Sequence, residues 1–136
     1  MRIFWQDCMS VGIPAMDGDH RTMVALLDEV CLALQSRNLF AAGEALTRFA
    51  AAMAAHFIVE ERLGDGFDQD NAEAHREVHD ATRRQVALLQ DAVTVRRDLT
   101  AARDLADEFV ADWIKRLFRE DRVLAANLRH APAPIP

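Results

Sequence analysis

The sequence predicts an all-α protein, an antiparallel up-down-up-down four-helix bundle preceded by an extended N-terminal arm. Three observations favour this fold. Alanine and leucine dominate the 136-residue chain, β-branched residues are sparse, and only 5 Gly and 4 Pro interrupt it, which favours helix over strand. Apolar residues recur at steps of three and four along long stretches. Short polar or glycine-containing segments separate those stretches, and short loops make neighbouring helices antiparallel.

Residues 1–18 are predicted to form the arm, because their apolar residues follow no clear period and Gly12, Pro14 and Gly18 interrupt them. The arm is expected to cover one end of the bundle with four apolar side chains. These are Phe4, Trp5, Val11 and Ile13.

The first helix is predicted to begin near Asp17 or Asp19, since either carboxylate can cap the free amides of a first turn. Its apolar positions follow helical spacing. They are Met23, Leu26, Leu27, Val30, Leu32 and Leu34. The polar residues 36–38 then predict a turn.

The second helix is predicted over about residues 40–63, because it is rich in alanine and is followed by Gly64 and Gly66, which suit a helix end. Residues 65–70 are expected to form a loop. A third helix is predicted over about residues 71–95, with Asn71 as a good N-terminal cap.

The fourth helix is predicted to begin near Asp98 or Thr100 and to reach about Leu128. The Pro-rich tail, residues 129–136, cannot continue a helix and is expected to be flexible. The length suits one hydrophobic core, so residues 1–136 are predicted to form a single domain.

The composition argues against several classes of partner. The formal net charge is −6 and no basic cluster is present, which disfavours nucleic acid and anionic membranes. No apolar run approaches the length of a membrane span, and the first residues lack the apolar stretch of a signal peptide. Cys8 and Cys31 lack metal-type spacing and are expected to be reduced thiols, Cys31 in the core. A cytoplasmic location is therefore expected.

Two pairs of potential metal ligands are spaced four residues apart. They are His56 with Glu60, in His-Phe-Ile-Val-Glu, and His75 with His79, in His-Arg-Glu-Val-His. Residues four apart lie on one face of a helix, one turn above the other, so each pair can hold a single ion. Imidazole and carboxylate together are ligands that suit iron, zinc or manganese.

Two further candidate ligands accompany these pairs: His20, expected at the start of the first helix, and Asp121, towards the end of the fourth. Antiparallel connections would bring both to the same end of the bundle as the two pairs. Ligand-type side chains from four helices would then converge at one depth, as in bundle cores that hold two metals.

Each motif alone has a plainer explanation. A single inward histidine can be a hydrogen-bonded core residue, and a pair at i,i+4 can be a surface contact within a helix. Burying several imidazoles and carboxylates together without a cation, however, would leave costly unpaired polar groups. The coincidence of the motifs therefore favours metal binding.

In their order and spacing, these motifs resemble those of the bacteriohemerythrins, small four-helix oxygen-binding proteins with a non-haem di-iron centre. The resemblance extends from Phe4 to about Leu128, and it includes the lead-in Met-Asp-Gly-Asp-His that ends at His20. The ligand set that it implies is divided between two irons. His20 and His56 would hold one iron, His75 and His79 the other, and Glu60 and Asp121 would bridge both.

The fourth helix departs from the family pattern, which places one more histidine five residues before the bridging aspartate. This stretch has no histidine: depending on the alignment, Leu117 or Arg116 occupies that position. The apolar stripe through Phe109, Trp113 and Leu117 favours the first alignment, with Leu117 and Asp121 both facing inward. A one-residue deletion between Arg116 and Leu117 is the most economical description of this departure.

The resemblance implies a non-haem iron protein that binds dioxygen or a related small ligand, for oxygen binding, storage or sensing, rather than an enzyme. Phe57 and Trp113 are expected to line its ligand pocket or simply to pack in the core. Without the fourth-helix histidine, the iron beside His75 and His79 would have one ligand fewer than in an oxygen carrier. Water or Glu120 would fill the position, or one iron would bind instead of two. Since catalytic metal sites keep an open position, a di-iron oxidase or peroxidase-like activity is the alternative. A degenerate metal-binding regulatory module is a third reading.

Overall fold

The four predicted helices are present and form the expected all-α bundle. The computed structural model describes the backbone of residues 1–64 and 69–121 and the side chains of residues 1–62 and 72–119. The helices are α1 (Pro14–Gln35), α2 (Leu39–Gly64), α3 (Gln69–Gln90) and α4 (Leu99–Arg116). Each helix packs on two others, α1 on α2 and α4, and α3 on α2 and α4. No strand occurs within these described ranges.

The first helix begins earlier than the predicted Asp17 or Asp19. It starts at Pro14, which suits a first helical position because proline has no N–H to satisfy there. Asp17 instead accepts hydrogen bonds from the Ser10 hydroxyl at 2.6 Å and the Val11 amide at 2.9 Å. Residues 14–18 therefore belong to the helix, and Asp17 fastens the arm to it.

The arm is held to α1 by one ion pair and several buried side chains. Arg2 donates two hydrogen bonds of 2.7 Å to the Asp28 carboxylate, which also accepts from the Ile3 amide at 3.0 Å. The arm buries Ile3, Met9 and Val11. The expectation for Phe4 was wrong, because this side chain is 59% exposed. The guanidinium carbon of Arg2 lies over the Phe4 ring, 5.1 Å from the ring centre.

Lowering the pH is expected to weaken this anchor. The hydrogen bonds from Arg2 hold the pKa of Asp28 below its ordinary value of 3.8. A carboxyl group with a depressed folded-state pKa stabilises the fold above its unfolded pKa, and that contribution is lost as the pH falls through the folded pKa. Between about pH 5 and pH 3, the wild type should therefore lose more free energy of unfolding than Asp28→Asn. Urea unfolding across this range measures the difference, and equal losses would contradict it.

The hydrophobic core runs along the bundle and is centred on an aromatic cluster. The ring of Phe49 meets those of Phe109 and Trp113 edge to face, with centres 5.7 and 5.8 Å apart. Cys31 is buried as predicted, and burial raises the pKa of its thiol to about 11. The helical stripe predicted for α1 was wrong at Leu32, which is 46% exposed.

The turns between helices are closed by side-chain caps. The Asn38 side chain accepts from the Ala41 amide at 3.0 Å. Asp98, one of the two predicted starts of the fourth helix, caps α4 by accepting from the Ala101 amide at 3.0 Å. Arg103 donates to the last carbonyl groups of α1. These caps satisfy backbone groups that helix ends leave unpaired.

Two helices end in π-helical turns that the apolar spacing did not predict. The turn Asp91–Val95 follows α3, and the turn Leu117–Asp121 follows α4. A π-turn bonds residues five apart, so the α-helical spacing that placed Asp121 one turn after Leu117 does not hold there. The loop predicted over residues 65–70 was wrong at residues 69 and 70, because α3 begins at Gln69, before the predicted cap Asn71. Residues 65–68 and everything from residue 122 onwards, including the tail 129–136, lie outside the described residues.

Among the described helices, none combines the length and the hydropathy that a membrane span requires.

Candidate metal centre

Most of the predicted ligand side chains meet in the interior of the bundle. His20 comes from α1, His56 and Glu60 from α2, and His75 and His79 from α3, and all of them are buried. The sixth predicted ligand, Asp121, has a described backbone in the π-turn after α4. Its side chain, like that of Glu120, lies outside the described residues.

Glu60 stands at the centre of this cluster and is fully buried. Its Oε1 atom lies 2.5 Å from His56 Nε2 and 3.5 Å from His20 Nε2. Its Oε2 atom lies 2.9 Å from Nε2 of both His75 and His79. Each carboxylate oxygen therefore faces one pair of imidazoles.

This arrangement defines two groups of donor atoms that share one carboxylate. The α1–α2 group consists of His20, His56 and Glu60, and the α3 group consists of Glu60, His75 and His79. Within each group the ligand atoms lie within 4.8 Å of one another, close enough to hold a metal ion. Helical spacing explains the α2 and α3 members, because residues four apart present their side chains one turn above the other.

The electrostatics of the cluster favour a cation. Burial acts to raise the pKa of Glu60, but hydrogen bonds from the four imidazoles outweigh it and hold that pKa well below its usual range. Burial likewise acts to lower the pKa of His56, yet the Glu60 carboxylate raises it overall. The centre thus keeps a buried negative charge that needs a positive partner, a proton on imidazole or a metal ion.

The outer nitrogen of two imidazoles is oriented by a carboxylate. His56 Nδ1 lies 2.7 Å from Asp19 Oδ2, and His79 Nδ1 lies 3.1 Å from Glu61 Oε1. A carboxylate that accepts a hydrogen bond from Nδ1–H holds the ring so that Nε2 faces the centre, where a metal ion would take the place of the Nε2 proton. Metal-binding histidines have this arrangement, and the donor set therefore fits a metal ion.

Two inner nitrogens also approach each other as ligands of one ion do. His20 Nε2 and His56 Nε2 are 2.9 Å apart, and their rings meet edge to face with centres 4.7 Å apart. One proton shared between them, or one cation beside both, accounts for two ring nitrogens at this distance.

The described side chains of α4 contribute no member to either donor group. Leu117 is 3% exposed and belongs to the hydrophobic core, as the apolar stripe predicts. Arg116 turns towards α3 and donates to the Thr82 hydroxyl at 2.8 Å and to Gln85 Oε1 at 2.7 Å. Neither residue replaces the absent histidine as a ligand.

The two aromatic residues expected near the centre have different surroundings. Phe57 stacks on the His79 ring with centres 3.8 Å apart and planes 8° apart. Trp113 packs against Phe49 and Phe109 in the core. Phe57 thus covers a candidate ligand directly, whereas the described contacts of Trp113 are those of a core residue.

Sequence reasoning missed the two orienting carboxylates. Asp19 immediately precedes His20 and Glu61 immediately follows Glu60, so both adjoin predicted ligands in the chain. Each nevertheless serves a histidine on a different helix from its own. The adjacency of acidic residues to ligands was the available signal, but it did not identify which imidazole each would reach.

The fold and the paired donor groups define a four-helix bundle with a histidine–carboxylate centre suited to cations. The chain belongs to the hemerythrin family: the family model described as the hemerythrin HHE cation binding domain matches residues 11–128. The resemblance drawn from the sequence motifs is thereby confirmed.

Individual relatives agree with this assignment. The chain is 27% identical over 122 residues to a bacteriohemerythrin of Stenotrophomonas maltophilia, a match that covers 88% of this chain and 76% of the relative. It is 25% identical, with the same coverage, to bacteriohemerythrins of Pseudomonas aeruginosa and Pseudomonas paraeruginosa.

Proposed function

We propose that the chain is a non-haem iron protein that binds dioxygen or a related small ligand, for oxygen binding, storage or sensing. His20 and His56 would hold one iron, and His75 and His79 the other. Glu60 would bridge both, with Asp121 as a second bridging carboxylate. The observation that carries the proposal is the division of the Glu60 carboxylate, one oxygen to each pair of imidazoles.

The protein's own groups prepare the centre in three ways. Glu60 supplies negative charge between the two donor groups, which offsets the repulsion between two cations. Asp19 and Glu61 would accept hydrogen bonds from the outer nitrogens of His56 and His79. The inner nitrogens would then point at the centre and offer their lone pairs to a metal ion. Core packing around the cluster excludes bulk water, which strengthens these interactions. Bound iron would supply the electrons that a ligand such as dioxygen requires.

A second candidate function is a di-iron oxidase or peroxidase-like activity. It is favoured by the apolar Leu117 at one of the two positions where the family pattern has a histidine, since an open coordination position is typical of catalytic metal sites. Steady turnover of peroxide, or of dioxygen with a reductant, distinguishes this activity from reversible binding, which consumes neither.

Metal content and an ultraviolet–visible spectrum of anaerobically reduced protein, before and after exposure to air, test the proposal. Two irons per chain, with bands that appear in air and disappear on deoxygenation, would support reversible ligand binding. Two irons that oxidise irreversibly would favour the redox activity. One iron would contradict the two-iron assignment. If the protein holds no metal and added iron leaves its melting temperature unchanged, the chain would be a degenerate module that does not bind metal, because a bound metal stabilises the folded state.

A further inference from the structure

The ring of His79 is held on two sides by a set of contacting residues. One face stacks on Phe57, and Nδ1 lies 3.1 Å from Glu61 Oε1. Arg83 contacts both of these neighbours: its Nη2 lies 3.3 Å from Glu61 Oε1, and its guanidinium carbon lies 5.1 Å from the centre of the Phe57 ring. We call Phe57, Glu61 and Arg83 the His79 clamp.

The clamp is fixed in turn to the surface of α3. Arg83 Nη1 donates to Asp80 Oδ1 at 2.7 Å, so the guanidinium joins two carboxylates at once. Glu61 is partly buried, with 25% of its side chain exposed, and its hydrogen bonds from His79 and Arg83 lower its pKa against the opposing effect of burial. Both contacts reach the same Glu61 oxygen, Oε1, and two charge-assisted contacts restrict the side chain more than one does.

The corresponding contact in the α1–α2 group is simpler. Asp19 lies 2.7 Å from His56 Nδ1, but its side chain is 48% exposed. Within the described part of the chain, no arginine or lysine pairs with Asp19, and the His56 ring meets His20 edge to face rather than stacking on a phenylalanine. The two halves of the centre therefore differ in how firmly an outer carboxylate is held.

This difference falls on the half that lacks a fourth-helix ligand. By the family pattern, the absent histidine would have completed the α3 group, which leaves His75 and His79 as its imidazoles. A donor group with fewer ligands depends more on the orientation of each one, because each ligand contributes a larger share of the free energy of metal binding. A firmly held outer partner is most useful at that half.

We propose that Glu61, held by Arg83, is the positioning residue that aims His79 Nε2 at the α3 metal site. This inference rests on the proposed metal-binding function and adds to it a residue outside the ligand set. It assigns to Glu61 an effect on one half of the centre only. Arg83 acts through Glu61 and Phe57, so its removal should have the same direction and a smaller size.

Cobalt(II) titration of the metal-free protein, followed by its visible absorption, tests the assignment. Glu61→Leu should weaken one of the two binding events by about 10- to 100-fold, the range found for outer partners of metal ligands. Glu61→Gln should lower the cobalt(II) affinity less, because its amide oxygen can still accept a hydrogen bond from His79 Nδ1. The cobalt(II) affinity of Arg83→Met should lie between those of the wild type and Glu61→Leu. Glu44→Gln, which removes an exposed carboxylate from the same helix as Glu61, is the matched control and should bind cobalt(II) as the wild type does.

Double variants identify which half is affected. Adding Glu61→Leu to His75→Ala should change little, because the α3 group is already impaired. Adding it to His20→Ala should weaken the binding event at the α3 group, which His20→Ala alone leaves in place. Equal affinities in Glu61→Leu and wild type would overturn the inference. So would equal weakening of both events together with a lowered melting temperature of the metal-free protein, which would indicate a general structural role. If the wild type takes up no metal ion, the proposed function fails as well; if it takes up two, only the positioning role is in question.

Discussion

Replacement of Glu60 by glutamine is expected to abolish tight metal binding at both donor groups together. Each group uses one oxygen of this carboxylate, and glutamine replaces one oxygen with an NH₂ group and removes the charge. The affinity of each group should fall by about 100-fold or more, since even outer partners of ligands contribute 10- to 100-fold. Metal per chain after dialysis, measured by elemental analysis, gives the result.

The exposed Glu44 provides the matched control for this change. It lies on the same helix, and Glu44→Gln removes one negative charge from the surface of α2 without touching the cluster. This variant should retain the metal content of the wild type. Retention of one metal ion per chain by Glu60→Gln would contradict the prediction, because it would show that one group holds its ion without the shared carboxylate.

Introduction of a histidine at Leu117 is expected to strengthen the weaker metal site by at least about tenfold, on the same scale of ligand contributions. Leu117 is buried in the core, and it is the residue that the apolar stripe aligns with the absent family histidine. The metal-free variant should be less stable than the wild type, since burying an imidazole without a partner costs free energy. Metal should reverse that order. Thermal melting with and without cobalt(II) measures both effects.

Arg116→His is the informative comparison, because Arg116 is the residue that the alternative alignment places in the same position. Its guanidinium binds Thr82 and Gln85 on α3, so this variant should lose those contacts and gain no metal affinity. A gain in metal affinity in Arg116→His with none in Leu117→His would favour the other alignment, which counts five residues back from Asp121 and places Arg116 at the histidine position.

The candidate ligand pairs on α2 and α3 were predictable because they depend on helical spacing alone. A separation of four residues fixes a common face whatever surrounds it, and His56, Glu60, His75 and His79 indeed meet in the interior. The start of α4 was predictable for a similarly local reason, since Asp98 can cap a helix without help from distant residues.

The features that the sequence did not reveal depend on contacts between distant segments. Asp17 looked like a helix cap but binds the arm, and Phe4 looked like a core residue but lies on the surface under Arg2. The π-turn after α4 breaks a spacing that is regular in the sequence. Asp121 as a ligand, the number of irons, dioxygen as the ligand and a cytoplasmic location stay predictions.

With a metal ion in each donor group, the single carboxylate between them would make the two halves of the centre thermodynamically dependent on each other. If an event at the α1–α2 group changes the affinity of the α3 group by some factor, reciprocity requires the reverse effect to have the same size. Glu60 is a direct physical route for such an effect, because its two oxygens belong to one rigid plane. A small ligand or an electron that reaches one half would then change the metal affinity of the other half through Glu60, with no need for the helices to move.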